Sequence, residues 1–240
     1  MRAGYEVLDQ TARPSNQLTY AKLLCSSQKV AYLLNKLVLT SSGPSGGPQK
    51  GGAHLKSGDR VALVYPNNDP LSFLSAFFGC ASAGLVAVPI EVPTSKRDAG
   101  MQQLGFLLGS YQVRVALTSD ACFKGLPKTQ TGEVAQFKGW PRLNWVVIRG
   151  CDREPGKAAQ ELAAGAQNHR GSTTDKEGSV KGVCVTHAAM LAHCRALTAA
   201  CSYQIGQTSV CVLEKERSRS LHAVLTVGVF SIVSHFECGV

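Results

Sequence analysis

The segment Thr173–Gly182 has the residue types of a loop that holds phosphate. Small hydroxyl and glycine residues leave room for phosphate oxygens, and backbone N–H groups in such a turn can point at them. A lysine near the end of the segment supplies a positive point charge. The candidate phosphate-binding residues are Thr173, Thr174, Gly178, Ser179, Lys181 and Gly182. We therefore predict a phosphate-binding loop here, with a plain solvent-exposed turn as the alternative.

This candidate loop comes before a strand instead of after one. Val183–Val185 is a short apolar stretch with strand character, and a helix is predicted to begin near His187. Walker A loops and dinucleotide-binding fingerprints both lie between a strand and the helix that follows it. The order loop, strand, helix therefore distinguishes this segment from both of those motifs.

The composition is that of a globular protein and disfavours a nucleic-acid binder. Of the 240 residues, 44% are hydrophobic and 17% are charged, which is the balance of a folded domain. The formal net charge of +9 is spread along the chain, without the dense Lys/Arg block of a nucleic-acid-binding arm. The aromatic content of 7% also disfavours a platform for base stacking.

The nine cysteines are expected to be free thiols. No pair has the C-x-x-C spacing of a zinc or redox site, so no metal site is predicted. Cys194 and Cys201 are one heptad apart on the helix predicted near His187, on a face shared with Leu191 and Leu197, and we assign both thiols to the core. The longest apolar stretch, near residues 221–233, is too short to span a bilayer. We therefore expect a cytoplasmic protein without a transmembrane segment.

Short apolar strands alternate with helices along the chain, which predicts an α/β fold with a parallel sheet. Four strands are predicted before the candidate loop, at residues 60–65, 86–92, 113–118 and 143–148. Helices are predicted at 18–39, 68–83 and 99–110, and a further strand and helix at 209–213 and 221–232. Pro89 indicates that the second strand lies at an edge of the sheet or has an irregular end. Ligands bind such sheets at the carboxyl ends of the strands.

The loop resembles the phosphate loop of the adenylate-forming superfamily, which includes acyl-CoA synthetases and fatty acyl-AMP ligases. That loop reads T-[ST]-G-[ST]-T-G-x-P-K-G-V and is commonly followed by a T/S-H pair. The matching residues are Thr173, Thr174, Gly178, Lys181, Gly182, Val183, Thr186 and His187. The departing residues are Asp175, Lys176, Glu177 and Val180. Glu177 places a carboxylate where phosphate oxygens would lie, and Lys176 can offset that charge.

The chain is also similar to the disco-interacting protein 2 family, whose members carry adenylate-forming-like domains. The similarity extends over about Leu18–Leu213, and the loop form KEGSVKGV is typical of that family. The segments that carry it include Gly58–Pro66, Asn68–Phe78, Val88–Gln103, Ala116–Phe137 and Lys176–His187. The resemblance implies the amino-terminal portion of an adenylate-forming large domain over residues 18–240. An extension over 1–17 would precede it, and a flexible insertion over 40–57 would interrupt it.

Three features depart from the family pattern. No strand is evident in Arg153–Ser172, just before the loop, where the family would have one. The segment Glu214–Ser220 and the tail after it diverge. The chain also ends before the adenine-binding motif, the ribose-binding aspartate and the C-terminal subdomain of a full adenylate-forming unit. We therefore expect a partial chain that is inactive by itself.

The resemblance implies ATP-dependent activation of a fatty or short-chain carboxylic acid to an acyl adenylate, a reaction of lipid metabolism. ATP and Mg²⁺ are the implied cofactors, coenzyme A is an optional acceptor, and Lys181 would support the pyrophosphate. His187 would line an acyl or nucleotide pocket, with a polar residue at a helix N-terminus as the alternative. No residue is assigned a catalytic role. The competing function is a non-catalytic interaction module with protein partners.

Overall fold

The fold is built on a four-stranded parallel sheet with an apolar cluster on each face. The structure, a computed structural model, describes residues 4–8, 11–39, 55–66, 68–90, 92, 105–106, 108–135, 139–148, 170–174 and 182–202. The strands are β1 Gly4–Leu8, β2 Pro14–Thr19, β3 Arg60–Val64, β4 Val86–Ile90, β5 Val115–Ser119, β6 Asn144–Ile148, β7 Arg170–Thr174 and β8 Gly182–Thr186. The helices are α1 Tyr20–Leu39, α2 Pro70–Ser82, α3 Asp120–Gly125 and α4 His187–Cys201.

The central sheet confirms the predicted α/β fold. Its strand order is β4-β3-β5-β6, and all three pairings are parallel. Strands β4 and β5 are buried along their whole length, which explains their continuous apolar sequence. Pro89 has no N–H to donate to a ladder, and β4 is the outer strand of this sheet, as predicted.

Helix α2 connects β3 to β4 and has the predicted ends. Asp69 is the N-cap, and its side chain accepts a hydrogen bond of 3.3 Å from the backbone N–H of Ser72. Pro70 fits the first helical position because its missing N–H would be unpaired there. Gly84 follows the C-cap with a φ of +75°, a backbone conformation that favours glycine. These signals fix the crossover between the two strands.

Two apolar clusters lie on opposite faces of the sheet. The first joins α1 and α2 to β3 and β5 through Leu34, Leu74 and Leu117. The second covers the other face and includes Val64, Leu108 and Trp140. Because successive strand residues point to opposite faces, β3 contributes Leu63 to the first cluster and Val64 to the second. The core is therefore a three-layer arrangement around β3.

Helices α1 and α2 approach each other most closely at Gly79. A Cβ atom at this position would lie 2.5 Å from the Cβ of Val30 and 3.0 Å from the carbonyl oxygen of Ser27. Real Cβ atoms do not come this close to other heavy atoms, so the contact requires glycine in α2.

The first residues of the chain form an antiparallel hairpin of β1 and β2, which the prediction of a simple extension over 1–17 did not include. Strand β2 continues directly into α1, and the Tyr5 and Tyr20 rings meet edge to face with centroids 5.7 Å apart. Leu18 packs against the first core cluster. Such a hairpin is marginal alone and is held here by its packing against the main core.

The predicted insertion over 40–57 lies mostly outside the described residues. Leu55 is described and is only 1% exposed, so it belongs to the core cluster on the α1 side. The predicted helix residues 99–104, the strand at 209–213 and the helix at 221–232 also lie outside the described residues. Within the described ranges, no helix combines the length and apolar character needed to cross a bilayer.

Tyr65 buries a hydroxyl group at the carboxyl end of β3. Its side chain is 5% exposed, and its ring lies edge-on to Phe73 with centroids 6.2 Å apart. Among the described residues its hydroxyl oxygen has no hydrogen-bond partner. Burial raises the pKa of Tyr65 far above its ordinary value, and Cys80 and Asp69 add to the rise.

We expect Gly79→Ala to lower the free energy of unfolding by about 1–3 kcal/mol, because overpacking against Val30 exceeds the gain of about 1 kcal/mol in helix propensity. Urea denaturation followed by circular dichroism measures the change. Gly109→Ala is the matched control, since a Cβ at that helical position meets no atom within 4 Å. Equal effects of the two substitutions would contradict the close approach of α1 and α2.

We expect Tyr65→Phe to raise the free energy of unfolding by about 1 kcal/mol at neutral pH, because it removes a buried hydroxyl without a partner. A folded-state pKa above the unfolded value means that stability is retained below about pH 10 and lost as the pH rises further. The advantage of the variant should therefore grow at alkaline pH. Tyr111→Phe, at a partly exposed ring, should change stability by less than about 0.5 kcal/mol. A less stable Tyr65→Phe protein would show that the hydroxyl has a bonding partner.

Candidate functional site

The candidate loop closes an antiparallel hairpin formed by β7 and β8. The register pairs Arg170 with Thr186 and Thr174 with Gly182, which leaves residues 175–181 as the connection. The expectation that no strand precedes the loop is therefore wrong, because β7 begins at Arg170. Its sequence RGSTT has no apolar run, so the strand depends on pairing with the apolar β8 sequence GVCVT.

The structure locates three of the six predicted phosphate-binding residues. Thr173 and Thr174 are the last two residues of β7, and Gly182 is the first residue of β8. Gly178, Ser179 and Lys181 lie in residues 175–181, outside the described residues. The hairpin register places Thr174 and Gly182 opposite each other at the two ends of this connection. The phosphate-binding role of all six residues stays a prediction.

The strand after the loop runs directly into helix α4, as predicted. Thr186 ends β8 and is the N-cap of the helix, where its hydroxyl oxygen accepts a hydrogen bond of 3.1 Å from the backbone N–H of Ala189. His187 is the first residue of α4 and is half-buried. This placement agrees with a polar residue at a helix N-terminus, and the predicted pocket role of His187 stays a prediction.

Helix α4 anchors the hairpin to the main core. Cys194 is 1% exposed and belongs to the first core cluster, with Met190 and Leu197 packed against the same cluster. The predicted face was wrong in two of its four members, since Leu191 is 38% exposed and Cys201 is exposed. Spacings of four and three residues, from Met190 to Cys194 and on to Leu197, bring these three side chains to one side of the helix.

The first strand of the hairpin, β7, lies beside the parallel sheet. Strand β7 contacts β4, the outer strand of the sheet, although the two belong to separate ladders. The hairpin is thus held between β4 on one side and α4 on the other. These two contacts position Thr174 and Gly182, the residues on either side of positions 175–181.

Polar side chains at the carboxyl ends of the parallel strands are used as helix caps. Asp69 caps α2, and the Ser119 hydroxyl at the end of β5 accepts a hydrogen bond of 3.4 Å from the backbone N–H of Cys122. Burial raises the pKa of the Cys122 thiol above its ordinary value. The β5 cap was missed from sequence, although the Ser-Asp pair after an apolar strand is a usual start signal for a helix.

The comparisons with known proteins point to one family and one fold. No protein-family model matches the chain. Disco-interacting protein 2 of Drosophila melanogaster is 52% identical to it over 228 residues, which is 92% of the chain and 12% of that protein. A medium-chain-fatty-acid–[acyl-carrier-protein] ligase of Moorena producens is 26% identical over 208 residues, 84% of the chain and 31% of the ligase.

A solved structure supports the same fold. The fatty acyl-adenylate ligase from L. pneumophila, in complex with acyl adenylate and pyrophosphate, superimposes with a TM-score of 0.62 and 17% identity. The match covers 98% of the chain and 36% of that protein. The chain therefore spans about a third of the matched enzyme and a much smaller part of its disco-interacting relative. It has the α/β fold of adenylate-forming enzymes and, over 92% of its length, belongs to the disco-interacting protein 2 family.

Proposed function

We propose that this chain contributes the phosphate-holding part of a unit that activates a carboxylic acid with ATP and forms an acyl adenylate. The observation that carries the proposal is the hairpin, which sets Thr174 opposite Gly182 at the two ends of residues 175–181. Two related proteins support a fatty acid as the carboxylate. The Moorena producens relative is named as a ligase of medium-chain fatty acids, and the L. pneumophila structure contains an acyl adenylate and pyrophosphate.

The donors of the hairpin fit the phosphates of a nucleotide. Thr173, Thr174 and Ser179 have hydroxyl groups, and glycines at 178 and 182 would leave backbone N–H groups accessible to phosphate oxygens. Lys181 would add a point charge on the pyrophosphate that leaves during adenylate formation. Donors arranged in advance for a developing negative charge stabilise it without reorganisation.

Mg²⁺ would accompany the nucleotide in this scheme. Among the residues that the structure describes, no three His, Cys, Asp or Glu side chains are grouped as a metal site. Mg²⁺ is commonly held by substrate phosphates with one or two carboxylates, so in this scheme it would arrive with ATP. When bound, the ion neutralises charge on the phosphate oxygens. Transfer of the acyl group to coenzyme A is a later step, and no described residue is assigned to it.

A second candidate function is a non-catalytic interaction module with protein partners. The loop residues Asp175 and Glu177 favour it, because carboxylates near phosphate oxygens weaken the binding of a triphosphate. Lys176 lies between them in the sequence and offsets one of the two charges. The balance of these charges decides between the two functions.

The two functions are separated by titrating the chain with ATP and Mg²⁺ in a calorimeter. We expect binding that weakens at least about tenfold in Lys181→Ala, since a hydrogen bond to a charged group contributes about 1.5–3 kcal/mol. Lys128→Ala is the matched control, because that lysine lies outside the hairpin, 5.3 Å from the centre of the Phe123 ring. Pyrophosphate release on adding a medium-chain fatty acid would then identify activation. A folded chain that binds no ATP would favour the interaction module.

The acidic residues of the loop provide an independent test. We expect Glu177→Thr, which restores the hydroxyl of the superfamily loop, to tighten ATP binding by about three- to tenfold, because it removes a repulsive charge near the phosphates. Glu133→Thr removes the same charge from an exposed position outside the hairpin and should leave binding unchanged. Unchanged binding in Glu177→Thr would place this carboxylate away from the nucleotide.

A further inference from the structure

Helix α1 carries a row of lysines on its outer side. Lys22, Lys29 and Lys36 recur at every seventh residue, so they lie along one face of the helix. Lys22 and Lys36 are exposed and Lys29 is half-buried, whereas Leu23 and Leu34 of the same helix belong to the core. The 20-residue helix contains no acidic residue.

From this arrangement we propose that the lysine face of α1, formed by Lys22, Lys29, Lys36 and Leu33, binds the anionic surface of a lipid membrane. The inference goes beyond the proposed function and does not depend on it, because no residue of the lysine face lies in the β7–β8 hairpin. The required ligand chemistry is a plane of negatively charged lipid headgroups.

The dimensions of the lysine face suit a flat surface. At about 1.5 Å per residue, Lys22 and Lys36 are roughly 21 Å apart along one helix. Among the described elements α1 packs on α2 and β2, and Lys22, Leu33 and Lys36 are exposed. Leu33 is four residues after Lys29 and three before Lys36, and it is 43% exposed. An exposed leucine among lysines is the composition of a helix surface that lies at a membrane interface.

The aromatic residue on this side of the helix also fits an interface between water and lipid. The Lys36 ammonium lies 4.6 Å from the centre of the Tyr32 ring. Tyrosine is enriched at the headgroup level of membranes because its ring is apolar and its hydroxyl is polar. Long lysine side chains keep their charge in the polar layer while their methylene groups cover apolar surface.

Residue type favours a membrane over an acidic protein or a second copy of the chain. All three basic residues are lysines, which act as point charges and do not form the bidentate pairs that arginine makes with carboxylates. Protein interfaces are enriched in arginine and depleted in lysine. Two lysine faces would repel each other, which disfavours a second copy. Anionic lipid needs only a positive surface, to which each lysine contributes separately.

Co-sedimentation with phosphatidylcholine vesicles, with and without phosphatidylserine, tests the proposal on the whole chain. We expect salt-sensitive binding to the anionic vesicles that weakens at least about tenfold in Lys22→Gln/Lys29→Gln/Lys36→Gln. The matched control is Lys56→Gln/Lys124→Gln/Lys128→Gln, which removes the same three charges from the formal net charge of +9 and should change binding less than about threefold. Thermal unfolding confirms that both variants are folded.

Three outcomes would overturn the proposal. Equal losses in the two triple variants would show that net charge, and not the lysine face, causes the binding. Equal binding to vesicles without phosphatidylserine would remove the anionic requirement. Binding to polyglutamate that needs the lysine face, without binding to vesicles, would identify an acidic protein partner instead.

A fluorescence measurement tests the same surface without altering its charge. The Leu33→Trp variant should show a blue shift of its tryptophan emission when anionic vesicles are added, larger than that of the unsubstituted chain with Trp140 and Trp145, because the new side chain leaves water. Phe106→Trp is the control at a residue that is 73% exposed, next to the Leu108 cluster on the other face of the sheet. A blue shift in the Phe106→Trp variant with none in the Leu33→Trp variant would refute the assignment of the lysine face.

Discussion

The parallel pairing of β3 with β4 and β5 is the constraint on which the rest of the structure depends. A parallel ladder needs crossover connections, and its two faces must both be covered because the crossovers lie over them. Helix α2 supplies the crossover from β3 to β4, and its close approach at Gly79 lets α1 join the same core cluster. Helix α4 reaches the same cluster through Cys194, so the hairpin that carries the candidate loop is positioned by the core of the sheet.

The elements that could be predicted from sequence are those in which the apolar pattern and the residues at the ends indicate the same structure that burial in the core favours. Strand β3 is a continuous apolar run, and α2 has an aspartate at one end and a glycine at the other, so one segment alone indicates each element. Strand β7 could not be found this way, because RGSTT is polar and becomes a strand only through its partner β8. The packed face of α4 was also missed in part, since Leu191 and Met190 are equally apolar and only the position of the core selects between them.

The candidate site likewise has a part that could be predicted from sequence and a part that could not. The order of loop, strand and helix follows from local patterns, and the structure places Thr174 and Gly182 at the two ends of the connection. Whether Lys181 and Glu177 favour or oppose a nucleotide depends on a balance of charges that spacing alone does not determine. The comparisons with known proteins add the fold. The chemistry of the loop therefore depends on a few charged residues, while its position depends on the strands and helix around it.

Strand β4 marks the border between two hydrogen-bonded ladders. Pro89 within it has no N–H to donate, and β7, which lies beside β4, is paired with β8 in a ladder of its own. The hairpin that carries the candidate loop is therefore a separately paired unit, joined to the parallel sheet by its contact with β4 and through Cys194 of α4, and not by continuation of the sheet's main-chain hydrogen bonds.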